Sequence, residues 1–391
     1  MRVLILDHYY EAFIEQVYSR APGLSRGAYS EQYEALAAGL FGESAMQVSA
    51  LEALGHQALF LPVNVPPLIE AMAVERDIRL DQPMRILSRL RVARALASGA
   101  HRRWLRSALS AIADWYRPDV IHIQCVDVIP PATVLALHRP GRLIVGQTAT
   151  PLPAWFSPRP YHLLVSSLPT YVRDFAAAGV EARYLPLAFE PSIASLQAPD
   201  RDIEVSFVGS LSGLHVRRNA LIESLARDMS FDIWSPHRLP GDGPDAYRAS
   251  EHGPVWGRDM YHVLGRSKMT INVHGEVAAG YANCLRLFEA TGMGAMLVTE
   301  SAPNLDELFD VGKEVVTYAD EAELRRVISY FRTHPQEARE IGEAGQRRTL
   351  RDHTWRTRMA QFVELAETLR SGLASQRTGL TSLPHDEAAE P

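Results

Sequence analysis

The chain has 391 residues, and at ~100–200 residues per domain that length predicts two domains or three. Its composition, 47% apolar and 22% charged, is that of an ordinary soluble enzyme, and 40 basic against 46 acidic side chains give a net charge of −6. That balance argues against a dedicated nucleic-acid binder, which carries a basic excess. Two cysteines, Cys125 and Cys284, build neither a disulfide framework nor a four-thiolate zinc site, so a reducing cytoplasm is expected. The apolar run after Arg2 stops at Asp7, too short for a signal peptide, and no stretch of ~18 uncharged apolar residues predicts a membrane span.

Val3-Leu4-Ile5-Leu6 predicts a buried parallel strand that delivers Asp7 and His8 to its C-terminal edge. Helical spacing follows through Tyr33, Leu36 and Leu40 and then Val48, Leu51 and Leu54, with Gly55 as the stop and Ala58–Leu61 as the next strand. From Arg76 to Arg106 nine arginines face two aspartates, a local charge of +7 on a segment read as helix. A solvated face is the plain account; peripheral docking to an anionic surface is the functional one. Strands predicted at Val120–Ile123, Leu143–Val145 and Leu163–Val165 each end in small or polar residues, the edge where open α/β sheets bind ligands. Tyr184–Leu187 reads as the last strand of this half, and Phe189 to Asp200 as a linker.

The second half opens with a strand at Ile203–Val208, a Gly209-Ser210 loop and a helix bearing Arg217 and Arg218. Glycine permits close backbone approach and a helix start offers free N–H groups, so Gly209 and Ser210 are phosphate-binding candidates. Trp256 and Gly257 read as a loop, and Met269–Val273 as a strand ending at His274. Asn283, Arg286 and Glu289 recur every third residue of a predicted helix, which keeps them roughly on one face. Such a trio suits a sugar nucleotide: a carboxylate for ribose hydroxyls, a guanidinium for the diphosphate and an amide for phosphate or sugar. An intrahelical Arg–Glu surface pair is the plain alternative. No convincing Asp-x-Asp metal motif stands out, and Asp242 to Asp245 reads as a turn.

The run from Asn283 to Arg358 resembles the C-terminal domain of the CgeB-like (spore-maturation-type) family-1 glycosyltransferases. The matching residues are Asn283, Arg286, Phe288-Glu289-Ala290, Gly294, Asn304 to Phe309, Tyr318-Ala319-Asp320, Gly342, Ala344-Gly345, His353-Thr354-Trp355 and Arg358. Fainter likeness extends to Phe207–Ser210, Phe41–Ser44 and Leu54-Gly55-His56. The resemblance implies an α/β GT-B fold, two Rossmann-like doubly wound domains facing across a cleft. It divides the chain into an acceptor domain (1–187), a donor domain (188–354) and a helix crossing back (355–370), while the composition of 371–391 predicts a disordered tail.

The same resemblance implies sugar transfer from a nucleoside-diphosphate donor to an unidentified acceptor hydroxyl, without a metal or other cofactor; no nucleic acid is expected, because no helix-turn-helix or aromatic-interleaved signature accompanies the arginine-rich segment. Arg286 is then expected on the diphosphate and Glu289 on the ribose, with Gly209 and Ser210 near phosphate. His274 is expected near the leaving group or sugar, and Trp256 and Gly257 beside the nucleobase. Many retaining relatives carry a second Glu eight residues before the ribose-binding one; Tyr281 stands there, which leaves stereochemistry open. An inverting reaction needs a base, for which Asp7 and His8 are the candidates, with Glu43 behind them. A nucleotide-sugar epimerase on this fold, or a non-catalytic sugar-nucleotide-binding surface-assembly protein, are the competing readings.

Overall fold

The computed structural model describes residues 1–80, 99–239 and 247–380, with backbone alone for 373–380. Four arginines of the basic segment (Arg85, Arg89, Arg91 and Arg94) and the turn at 242–245 lie outside the described residues. Of the others, Arg76 and Arg79 follow the helix Pro66–Glu75, while Arg102, Arg103 and Arg106 ride on the helix Gly99–Tyr116.

Two parallel six-stranded sheets make the frame. The first holds β1 (Arg2–Asp7), β2 (Gln57–Pro62), β3 (Val120–Ile123), β4 (Leu143–Gln147), β5 (Leu163–Ser166) and β6 (Ala182–Tyr184), in the order β2-β1-β3-β4-β5-β6. The second holds β7 (Ile203–Val208), β8 (Asp232–Trp234), β9 (Ser250–Glu251), β10 (Ser267–Asn272), β11 (Met296–Glu300) and β12 (Val316–Tyr318), in the order β12-β11-β10-β7-β8-β9. Val3, Leu4, Ile5 and Leu6 are wholly buried, because helices cover both faces of a central parallel strand. The order reverses between β1 and β3 in the first sheet and between β7 and β10 in the second. Crevices open outside the carboxyl ends of strands at such reversals, so these two edges are where ligands are expected.

Several boundaries differ from the sequence reading. The last strand of the first sheet is Ala182–Tyr184, upstream of the Tyr184–Leu187 expected. The linker carries a 3₁₀ turn, Pro191–Leu196, that buries Ile193. The helix around Trp256 begins at Gly257, so Gly257 is helical and Trp256 is its N-cap. The last helix runs Trp355–Leu380, into the stretch expected to be disordered.

That last helix ties the halves together. Phe189 and Trp355 anchor its start by reciprocal backbone bonds, Phe189 N–H to the His353 carbonyl (2.9 Å) and Trp355 N–H to the Phe189 carbonyl (3.1 Å). Trp355, Met359, Phe362 and Ala366 repeat at helical spacing and are buried in a core continuous with the first sheet. Phe362 stacks on His122 of β3, with centroids 4.5 Å apart, and Arg370 pairs with Asp119 at 2.7 Å. Among the described residues no helix is long and apolar enough to cross a membrane.

Candidate active site

The crevice at β1/β3 is built from short polar side chains held by one another. Asp7 ends β1, and its two carboxylate oxygens accept from different donors: Oδ1 from the His8 backbone N–H (2.8 Å) and Oδ2 from the Ser44 hydroxyl (2.7 Å). The Asp7 carboxylate lies 3.6 Å from His8 Nδ1 and raises the imidazole pKa against the lowering effect of burial. Gln124, just past β3, donates to Ser44 Oγ (2.8 Å) and exchanges amide bonds with Gln47 at 3.0 and 3.2 Å.

Glu43 precedes the helix Ser44–Ala53 at the seam between the domains. Gln147, at the end of β4, donates its amide to Glu43 Oε1 at 3.3 Å and accepts at Oε1 from His122 Nε2, 3.0 Å away. Burial lowers the His122 pKa to about 4, so its ring is neutral near pH 7. An amide oxygen only accepts; the imidazole proton therefore sits on Nε2, and Gln147 turns its NH₂ toward Glu43. Desolvation first, then the carboxylates of Asp7 and Glu289, push Glu43 up to about 8. Asp7 and Glu289 belong to different domains, so Glu43 feels both halves of the cleft.

The opposite wall is arginine-rich. The helix Arg286–Gly292 places Arg286 and Glu289 side by side, NH1 to Oε2 at 2.8 Å, with side chains 14% and 10% exposed. Arg286 also donates Nε–H to the Val208 carbonyl at the end of β7 (3.1 Å). Tyr261 donates its hydroxyl to Glu289 Oε1 at 3.5 Å. Burial raises the Glu289 pKa, and Arg286 opposes that rise. Arg218 spans the reversal point, donating to the carbonyls of Ser210 (3.2 Å) and Val273 (3.0 Å). It lies within the field of Arg286, whose positive charge helps lower its pKa after burial.

His274 lies two residues past the end of β10 and is buried. Its backbone N–H donates to Glu300 Oε2 (2.8 Å), its Nε2 is 3.1 Å from the Glu300 carbonyl, and its Nδ1 has no partner among the described residues. Burial lowers its pKa.

The expected residues thus fall into groups. Arg286, Glu289 and His274 line the β7/β10 side, and Asp7 and His8 the β1/β3 side. Asn283 is not on the helix with Arg286: it lies in the preceding loop, beside Ser167, Tyr184 and Pro186 of the first domain. The Gly209 amide is bonded to the Trp234 carbonyl (3.0 Å), and the Ser210 hydroxyl bonds the Ser212 N–H (3.2 Å). Trp256 makes edge contacts with Tyr10 and Phe41 of the first domain, at centroid separations of 5.9 and 5.7 Å. Gly257, at φ +46°, lies so close to Gly39 that a Cβ would meet its carbonyl oxygen at 1.9 Å. These two residues form an interdomain clasp, with the Arg258 N–H donating to Gly39 O at 2.9 Å.

Sequence reasoning missed Gln147, Tyr261 and Arg218 as site residues. Gln147 stood at a strand end and Arg218 at a helix start, signals too common to select them. Asp7, His8 and Cys125 could offer ligand atoms within 4.8 Å of one another to a metal ion. Burial pushes the Cys125 thiol up and its sulfur donates to the Leu6 carbonyl (3.6 Å), which disfavours the thiolate a metal requires.

Residues 217–364 match a family model described as "Glycosyl transferase-like". No curated protein matches the chain. Among solved structures, it is similar to a sucrose-phosphate synthase (tll1590) from Thermosynechococcus elongatus at TM-score 0.58 and 12% identity, over 95% of this chain and 100% of that one. It is also similar to AviGT4, a glycosyltransferase involved in avilamycin A biosynthesis, at TM-score 0.53 and 17% identity, over 95% of this chain and 98% of that one. A third likeness is to Anabaena Alr3699/HepE, solved in complex with UDP and glucose, at TM-score 0.53 and 13% identity, over 94% of this chain and 99% of that one. The fold is GT-B. On that frame, the stretch from Arg217 to Glu364 makes the second half a glycosyltransferase-type domain, and the chain a glycosyltransferase.

Proposed function

We propose that the protein moves a glycosyl group from a nucleoside-diphosphate sugar held on the second domain to an acceptor hydroxyl held on the first. The observation that carries this reading is the β7/β10 edge, where Arg218 and Arg286 share one field beside the buried carboxylate of Glu289. Two guanidiniums at a strand-order reversal fit a diphosphate, and the carboxylate fits ribose hydroxyls. The leaving diphosphate would be stabilised by these cations, with no metal required of the site. HepE, which shares the fold, was solved with UDP-glucose, and this supports a nucleotide-sugar donor. We read the chain as a CgeB-like member of the family-1 glycosyltransferases, acting in the cytoplasm.

Thermal unfolding with UDP, GDP, dTDP and their glycosylated forms tests the reading. A ligand at 100 times its Kd stabilises by about 2.7 kcal/mol. We expect one base to stand out, and Glu289→Ala to weaken its binding at least tenfold by calorimetry. No stabilisation by any nucleotide, or unchanged affinity in the variant, overturns the donor site.

A further inference from the structure

The cleft brings together three carboxylates whose surroundings differ. Both Asp7 oxygens are occupied by donors, and Glu289 is paired with Arg286. Glu43 receives one long bond, 3.3 Å from a neutral amide, and its Oε2 takes no hydrogen bond from the described residues. It stands between the two domains, in the field of Asp7 on one side and Glu289 on the other. The amide that touches it is fixed from behind by His122, and that ring is clamped by Phe362 of the crossing helix.

Resting on the function proposed above, we propose that Glu43 takes the proton from the acceptor hydroxyl, and that Gln147, held by His122, is the positioning residue that aims it. The step balances. Glu43 accepts the hydroxyl proton as the acceptor oxygen forms its bond to the sugar C1. The bond from C1 to the diphosphate oxygen breaks, and its electron pair leaves with the nucleoside diphosphate. Glu43 then returns the proton to solvent. Direct displacement of this kind inverts the anomeric centre.

Burial and the carboxylates of Asp7 and Glu289 set Glu43's titration, and the other titratable groups at this seam are partners of those two or of Gln147. Asp7 and His8 stand at the end of β1, Tyr261 on the helix Gly257–Arg266, and Arg286 and Glu289 on the helix Arg286–Gly292; neutral His122 acts through Gln147. A pKa of about 8 suits proton transfer just above neutrality. The Gln147 bond favours the ionised form, so its loss moves the titration upward.

The test uses the full chain with UDP-glucose, and GDP-mannose and dTDP-glucose as further probes, with water as acceptor. Nucleoside diphosphate release is followed from pH 6 to 10, with Kd for the same diphosphate measured in parallel. Glu43→Gln should lower kcat by about 10²–10⁴-fold, the usual worth of a general base, with Kd within threefold. Glu43→Asp should recover part of the rate. Gln147→Leu should lower kcat by about tenfold, leave KM in place and move the rising limb of the profile to higher pH. Wild-type turnover that survives Glu43→Gln above one tenth, with the same limb, overturns this inference alone. Retention of the anomeric configuration in the released sugar overturns the direct step. A wild-type chain that binds no nucleoside diphosphate overturns the function reading and this inference with it.

Discussion

The two crevices share one topology and carry opposite chemistry. At β1/β3 the side chains are carboxylates, amides and hydroxyls, each short and held by a neighbour: Asp7 by Ser44, Gln124 by Gln47, Glu43 by Gln147. At β7/β10 they are guanidiniums, with Arg218 and Arg286 bonded to backbone carbonyls of Ser210, Val273 and Val208. A parallel sheet dictates only where a ligand goes; what goes there is decided by the two or three residues just past each strand. On the function proposed above, one edge would manage a proton and the other would hold an anion. The electrostatic contact between Glu43 and Glu289 is where the two roles meet.

The largest way to break the contrast is Arg286→Met. It leaves Glu289 buried without its cation, and breaking a buried pair costs about 3–5 kcal/mol. We expect a fall in Tm of several degrees and at least tenfold weaker nucleotide binding. Arg286→Met with Glu289→Gln should restore the Tm and leave the binding weak. Recovery of both would mean that the pair is purely structural.

How much of this was legible beforehand depends on how local each cause was. β1 is readable because a central parallel strand needs an unbroken apolar run, and Val3–Leu6 supplies one. Arg286 and Glu289 are readable because three-residue spacing on a helix makes neighbours. Asn283 misleads because Asn304 binds both backbone groups of Ala282, at 2.8 and 3.1 Å, and holds the chain outside the helix until Arg286. Trp256 misleads because its partners, Tyr10 and Phe41, are more than two hundred positions earlier. Gly209 misleads because β8 extends to take its amide. Gln147 reaches Glu43 only once strand order is known, so no local pattern announces it.

The clasp offers a way to separate the two edges without touching either. Gly257→Ala adds a Cβ where 1.9 Å is available, at a positive φ that disfavours side chains. Steric overpacking of this kind costs about 1–3 kcal/mol. The expected outcome is a lower Tm with a larger radius of gyration in solution scattering, while the isolated nucleotide affinity stays within threefold. A radius unchanged from wild type would show that the clasp yields locally and does not govern the approach of the domains.

A subtler measurement concerns Glu43 alone. Its pKa rises on folding from the ordinary carboxyl value to about 8, so the folded state binds the proton more tightly than the unfolded one. The stability it allows is intact below about pH 4.5 and is lost progressively as pH rises to about 8, after which the loss is constant. Glu43→Gln should therefore flatten part of the decline in denaturant midpoint between pH 5 and 8. Glu289, also raised by burial, keeps its own share of the slope in both proteins. Parallel curves would mean that Glu43 titrates as an ordinary exposed carboxyl and lies open to solvent.

The smallest effect expected is at the rim of the anion side, and it sharpens which arginines matter there. Arg217 neighbours Arg218 in sequence but points outward, 66% exposed, pairing with Glu300 at 2.8 Å. Exposed pairs of this kind are worth about 0–1 kcal/mol, so Arg217→Ala should leave Tm nearly unchanged. Screening by salt also limits what such a charge adds to a bound diphosphate. Its effect on nucleotide affinity should be under threefold and should vanish at high salt. Arg218→Ala, which removes a half-buried guanidinium spanning Ser210 and Val273, should weaken binding more than tenfold at any salt. Equal losses from the two variants would move the anion site from the β7/β10 reversal to the exposed helix start, and the contrast between the two crevices would lose its second half.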